Sequence, residues 1–284
     1  MAKKNQIKPL VSIGLPTYNR DRYLQQALDS LLSQDYENLE IIVSDNHSTD
    51  ETSAICKQYA LEDRRIKYFR NDKNIGMIGN FSKVAELATG EYFMWASDDN
   101  YWHPEAVSRL MFVYQSAEKN GQEFFLIAPD SLWLVEDCVV NYYRTYLSTL
   151  SPAWKNYLRF LIRFKPALIY GLFKLSELKN FLPLSLDPEI PSDGKGWDLI
   201  LPIRLFSKTG KNMATLNFGL HFNRLDTSKQ DPESKFYKYW LYPKMISRAI
   251  LQGDAYSLLL RLLFCSCFLF FHYSGLSYKA WSQR

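Results

Sequence analysis

Ser97-Asp98-Asp99-Asn100 sets two neighbouring carboxylates directly after the apolar run Tyr92 to Ala96. Adjacent carboxylates at the end of a buried strand repel, so a cation or several hydrogen-bond donors must offset the repulsion. A hard divalent ion does this well. Mg2+ or Mn2+ takes one or two protein carboxylates and completes its shell with water and phosphate oxygens, which suits the loop to a diphosphate. The competing reading is a helix cap for the segment that begins near Pro104. Asp45 follows a second buried run, Leu39 to Ser44, where a carboxylate can accept from a nucleobase imide or a ribose hydroxyl. Asp45-Asn46-His47-Ser48 is equally good turn material. Pro16-Thr17-Tyr18-Asn19-Arg20 adds a restricted backbone, a stacking ring and a cation, a combination that suits a nucleotide.

Those loops need a scaffold that brings them together, and the first 130 residues supply the pattern for one. Short β-like runs at Leu10 to Leu15, Leu39 to Ser44, Ile66 to Phe69, Tyr92 to Ala96 and Phe124 to Ala128 alternate with helical spacing. The helices are expected from Asp21 to Leu32, Asp50 to Leu61, Gly79 to Ala88 and Pro104 to Glu118. This is the signature of an α/β domain with a mostly parallel sheet, in which ligands sit outside the carboxyl ends of the strands. The four polar loops listed by that rule follow the first, second, third and fourth strands.

Together these segments resemble the inverting family 2 glycosyltransferases. The likeness is carried by VSIGLPTYNR, LEIIVSDNHSTDET and NIGMIGNFSKVAELATGEYFMWASDDNYWHPE, and is dense over roughly residues 9 to 118. It implies the GT-A nucleotide-sugar-binding fold. It also implies that Pro16, Thr17, Tyr18 and Asp45 contact the base of the donor, that Asp98 meets the ribose, and that Asp99 meets the bridging metal. Asn74 and Asn80 would line the donor pocket. Arg20 is added to this set as a cation beside the nucleotide. Two departures stand out. Many members read Asp-x-Asp-Asp where this chain has Ala96-Ser97-Asp98-Asp99, and a related form carries a third acid where Asn100 stands here.

The later half resembles the family more loosely, through Ile169 to Lys174 and Gly196-Trp197-Asp198-Leu199. An inverting transfer needs a general base beside the acceptor hydroxyl, and the family supplies an acid at the start of a helix in its acceptor half. Asp198, heading the apolar run Leu199 to Leu205, matches that place, with Asp193 as the competing residue. His221, between Gly219 and Arg224, is expected on the metal and diphosphate side. The expected cofactor is Mg2+ or Mn2+. The expected partners are a nucleotide sugar, UDP-linked in the first instance, and a glycan or lipid-linked glycan acceptor.

Composition narrows the remaining choices. The chain has 284 residues, 47% hydrophobic and 23% charged, which excludes a disordered, collagenous or coiled-coil protein. Residues 1 to 120 hold 14 basic residues against 17 acidic ones, and the remainder 20 against 13. With no recognition motif, nucleic acid is excluded as a partner. Four cysteines without a C-x-x-C pair point to a reducing compartment, and the N-terminal apolar run is too short for a secretory signal, so a cytoplasmic protein is expected. The basic aromatic stretch Trp154 to Lys165 fits either an amphipathic helix on an anionic bilayer or a helix covering the core. Leu258 to Phe271, interrupted by Arg261, is too short to cross a bilayer and reads as a core or interfacial helix. The organisation expected is a donor-binding region at 1–130, an acceptor-side region with the base at 131–225, and a helical, basic and aromatic extension at 226–284 that can associate peripherally with membrane. The rival reading is a nucleotide-sugar-binding or membrane scaffold protein without turnover.

Overall fold

A computed structural model describes residues 8–135, 138–143, 147, 150–162, 166–187, 190 and 196–224. Leu258 to Phe271 and Asp193 lie outside the described residues. The first half alternates as the sequence predicts: β1 (Val11–Thr17), α1 (Asp21–Leu32), β2 (Leu39–Asp45), α2 (Thr52–Glu62), β3 (Ile66–Arg70), α3 (Gly76–Glu86), β4 (Tyr92–Trp95), β5 (Tyr101–Trp102) and α4 (Ala106–Lys119). β6 (Phe124–Val135), β7 (Cys138–Tyr143), α5 (Ala153–Ile162), β8 (Leu172–Lys174), α6 (Leu175–Lys179), α7 (Trp197–Thr209) and β9 (Asn212–Arg224) follow.

One nine-stranded sheet joins the described strands in the order β3-β2-β1-β4-β8-β6-β9-β5, with β7 on β6. β3, β2, β1 and β4 are mutually parallel. The register Thr17↔Asp45 ends β1 and β2 at one level, and Ala96 N–H donates to Gly14 O (2.8 Å), which brings the end of β4 beside them. β1, β2 and β4 are buried along their whole length because helices cover both faces, whereas the edge strand β3 is partly exposed. α3, α5 and α7 enclose Phe93, Trp95 and Ile42 on one face, while α1 and α4 enclose Ile13, Leu15, Val43 and Met94 on the other. Gly14 marks a close approach: a Cβ there would lie 2.7 Å from both Phe93 Cζ and Val84 Cγ2.

Beyond residue 130 the described chain contains three helices and also β7, β8 and β9, more strand than the fading alternation suggests. The boundary expected at residue 130 falls inside β6, which pairs with β7, β8 and β9. β5 pairs antiparallel with β9, setting Trp102 opposite His221. The 97–100 loop is thereby enclosed between β4 and a strand from the far end of the chain. α5 packs against β9 and α7: Tyr157 and Phe160 are buried, Asn156 Nδ2 donates to Met213 O (2.9 Å), and Tyr157 stacks on Phe206. Its described portion therefore covers the core. No helix among the described residues is long and apolar enough to cross a membrane.

Candidate active site

The loops after β1 and β2 are laced together. Asn19, with φ of 51°, donates its N–H to Ser48 Oγ (3.0 Å), and its Oδ1 accepts from Thr49 N–H (2.8 Å). Arg20 N–H donates to Thr52 Oγ1 (2.8 Å). Pro16 and Thr17 belong to β1 itself, so Tyr18 is the first residue beyond the strand, and its ring is exposed. Asp45 closes β2, fully buried. Its Oδ1 accepts from Ser48 N–H (2.8 Å), the turn role anticipated for it, but Oδ2 accepts from Tyr68 OH (2.9 Å) and faces Arg70 Nε at 3.6 Å. Arg70 also donates to Ser48 O (2.8 Å). Tyr68 and Arg70 were not singled out from the sequence; their alternation on the edge strand IKYFR was the available signal.

Asp98 and Asp99 cap no helix. α4 starts at Ala106 with Glu105 before it and no side-chain cap. Asp98 is buried and lies 3.6 Å from Arg20 Nε. Burial pushes its carboxyl up to about 7, Asp99 adds to the rise, and Thr17 and Arg20 oppose it. Thr17 Oγ1 is itself buried without a partner of ordinary hydrogen-bond geometry. Asp99 accepts from Ser97 Oγ (2.5 Å). Two adjacent carboxylates, one of them buried, with the Thr17 hydroxyl beside them, form an oxygen donor set that fits a hard divalent cation. Asp98 and Asp99 are the residues that would hold it.

His221, expected on the metal side, has its ring set among protein groups. The imidazole is completely buried, with Nε2 3.3 Å from Asn100 Nδ2 and Nδ1 3.0 Å from Ser131 Oγ, so both nitrogens are engaged within the protein. Burial lowers its pKa to about 3, leaving a neutral ring. It lies between Trp102 and Tyr170, with ring centroids 4.5 and 4.7 Å away. Asn80, expected to line the donor pocket, is engaged with backbone and side chains at the strand ends. Buried at the start of α3, it donates to Ser44 O (2.8 Å) and Thr17 O (3.3 Å), and accepts from Ser44 Oγ (2.7 Å) and Asn71 Nδ2 (3.1 Å). It ties α3 to the ends of β1 and β2. Asn74 is exposed on the rim and accepts from Asn46 Nδ2 (2.9 Å) and Gly76 N–H (2.8 Å).

Asp198 stands in the first turn of α7, half buried, after Gly196 with φ of 79°. Tyr170 relates it to the carboxylate loop. Burial first, then Asp99, Asp198 and Asp98, drive the Tyr170 hydroxyl well above its ordinary range, against a hydrogen bond with Ser97. Asp198 is therefore within electrostatic reach of the residue that touches the Asp98-Asp99 loop.

A parallel α/β sheet gathers Asp45, Arg20, Asp98 and Asp99 at its strand ends, the place where sheets of this kind take ligands. Residues 12–127 match the family described as Glycosyl transferase family 2. A GalNAc(5)-diNAcBac-PP-undecaprenol beta-1,3-glucosyltransferase of Campylobacter jejuni is 38% identical over 104 residues, covering 36% of this chain and 34% of that protein. TarS of S. aureus (residues 1–349), solved in complex with UDP, aligns over 93% of this chain and 72% of its own with a TM-score of 0.69 at 18% identity. The mannosyltransferase PcManGT of Pyrobaculum calidifontis, in complex with GDP-Man and Mn2+, aligns over 98% and 77% with a TM-score of 0.61 at 16% identity. These two share the fold. The matched segments span from 21% to 45% of the length of curated relatives.

Proposed function

We propose that this chain is an inverting glycosyltransferase that moves a sugar from a nucleoside diphosphate donor, UDP-linked in the first instance, to a hydroxyl of a glycan or lipid-linked glycan during surface polysaccharide synthesis. The observation that carries it is the convergence of Asp45 from β2, Arg20 from the β1 loop and Asp98-Asp99 from the β4 loop at one end of a parallel sheet. In this reading Pro16, Thr17, Tyr18 and Asp45 hold the base, with Tyr18 stacking and Asp45 accepting from a ring N–H. Asp98 receives the ribose, and Asp99 with Asp98 holds Mg2+ or Mn2+. A bound divalent ion supplies charge that stabilises the departing diphosphate. Asp198 accepts the proton of the acceptor hydroxyl as it attacks the anomeric carbon, and Asp193 is the competing base. The glucosyltransferase named for an undecaprenol-linked substrate supports a lipid-linked acceptor.

The test is release of nucleoside diphosphate from a panel of UDP- and GDP-sugars, with and without polyprenyl-linked acceptors. Acceptor-dependent release that falls roughly 100-fold or more in Asp198→Asn, at unchanged UDP affinity, is expected of a lost general base. Donor binding without release under every acceptor favours the scaffold reading, for which Ala96 and Asn100 in place of acids are the motive. If Asp193→Asn removes turnover while Asp198→Asn keeps it, the base is Asp193.

A further inference from the structure

His221 lies 94 residues beyond the end of the matched family domain, yet it bonds to the carboxylate loop that the domain supplies. Two side chains from this later half meet that loop on opposite sides of the Asp98-Asp99 pair. Asn100, directly after the pair, meets His221 Nε2 at 3.3 Å, and the other ring nitrogen is anchored on Ser131 of β6 at 3.0 Å. Ser97, directly before the pair, bonds to Asp99 at 2.5 Å, and Tyr170 lies close enough to Ser97 and Asp99 for both to act on its hydroxyl. The rings of Tyr170 and His221 are in contact, and Trp102 covers the other side of the imidazole.

We propose that His221 and Tyr170 are positioning residues that clamp the loop 97–100 from both ends and hold the Asp98-Asp99 carboxylates in the arrangement that receives a divalent cation and its diphosphate. The inference rests on the reading of that loop as the metal and diphosphate site. It assigns the imidazole to the protein, not to the metal. It also accounts for Asn100. An amide NH2 can donate to an unprotonated Nε2 while Nδ1–H donates to Ser131 Oγ, whereas a carboxylate at position 100 could only accept and would select the opposite tautomer of the buried ring. Asn100 and neutral His221 thus form a matched pair. Gly171 lets the clamp close: a Cβ there would lie 2.8 Å from Ala128 Cα, so only glycine brings Tyr170 this near to β6.

The test uses the whole chain with UDP and Mn2+ as probes. His221→Phe keeps a ring between Trp102 and Tyr170 but loses both hydrogen bonds. Tyr170→Phe loses only its hydroxyl. His221→Gln restores an acceptor near the Nε2 position. By calorimetry, Mn2+-dependent UDP binding is expected to weaken about tenfold in each Phe variant, the worth of one positioned hydrogen bond. UDP affinity in EDTA stays unchanged, and His221→Gln recovers most of the loss. In metal-free protein, amide exchange across 97–102 rises in the Phe variants alone. Electron spin echo spectra of the Mn2+ complex are expected to lack imidazole nitrogen coupling, and its presence would make His221 a ligand and overturn the clamp. Folded Phe variants with wild-type Mn2+-dependent affinity overturn it too. A wild-type chain that binds UDP equally with and without Mn2+ or Mg2+ overturns the metal reading itself, and the clamp with it.

Discussion

Asp45 and Asp99 sit on adjacent loops and differ in what surrounds them, which separates the consequences of removing each. Asp45 is enclosed by Ser48 N–H, Tyr68 OH and Arg70. Asp99 accepts from Ser97 Oγ and shares its field with Asp98. Asp45→Asn is expected to weaken UDP about tenfold in EDTA and in Mn2+ alike, the cost of one charge-assisted bond. Asp99→Ala should leave the EDTA affinity intact and remove the increment that Mn2+ brings. Calorimetry under the two conditions checks both, and equal losses in EDTA for the two variants would contradict the division of roles. The sequence shows these acids because each directly follows an apolar run, and such places are strand ends. It does not show the work of Asn80 or His221. Their partners, Ser44 and Asn100, are 36 and 121 residues away, and only the folded sheet makes them neighbours.

At the scale of elements, β1 and β2 are held at the end remote from the site by a second polar knot. Glu40 accepts from Ser12 Oγ, Lys67 Nζ (2.6 Å), Thr89 N–H (2.7 Å) and Thr89 Oγ1 (2.8 Å), and Gly90 N–H donates to Ser12 Oγ (2.8 Å). Burial would raise the Glu40 carboxyl, but the bonds from Lys67, Ser12 and Thr89 outweigh it and pull the pKa from 4.5 down to about 2. A carboxyl depressed in the folded state lends stability that is complete above its unfolded pKa and is lost as the pH falls through the folded one. The window for Glu40 therefore runs from about 4.5 down to about 2. Urea unfolding at steps across that window is expected to show the wild type losing stability faster than Glu40→Gln, while near neutrality the variant is the weaker by about 1–2 kcal/mol. Parallel pH slopes would show that the knot contributes nothing through its charge. Element positions in this half were legible because buried parallel strands read as continuous apolar runs. β9 was not, although Leu216, Phe218 and Leu220 alternate with Asn217, Gly219 and His221. A glycine and a histidine on the second face dilute that period-2 signal below what marks a strand unaided.

Across the whole molecule, the carboxylate loop is completed only because the sheet continues past the family domain. β4 passes to β8, β8 to β6 and β6 to β9, so the strands that lead into the Asp45 and Asp98-Asp99 loops share one hydrogen-bonded ladder with β9, which carries His221, and with β8, which follows Tyr170. Gly171 stands at the narrowest point of that passage, where a Cβ would lie 2.5 Å from Leu126 Cδ1 and 2.8 Å from Ala128 Cα and Cβ. Neither backbone can retreat without disturbing β6, which is paired on both sides, so overpacking there costs about 1–3 kcal/mol. If the sheet is one cooperative unit, that cost is felt equally on either side of the seam. Native-state hydrogen exchange in low urea is expected to give the buried amides of β1 and β2 and those of β6 and β9 the same opening free energy, and Gly171→Ala is expected to lower both by the same amount. Should β6 and β9 lose protection while β1 and β2 keep theirs, the two halves would open separately, and a carboxylate loop fixed from the second half would have to be assembled by docking, not by the ladder that joins them.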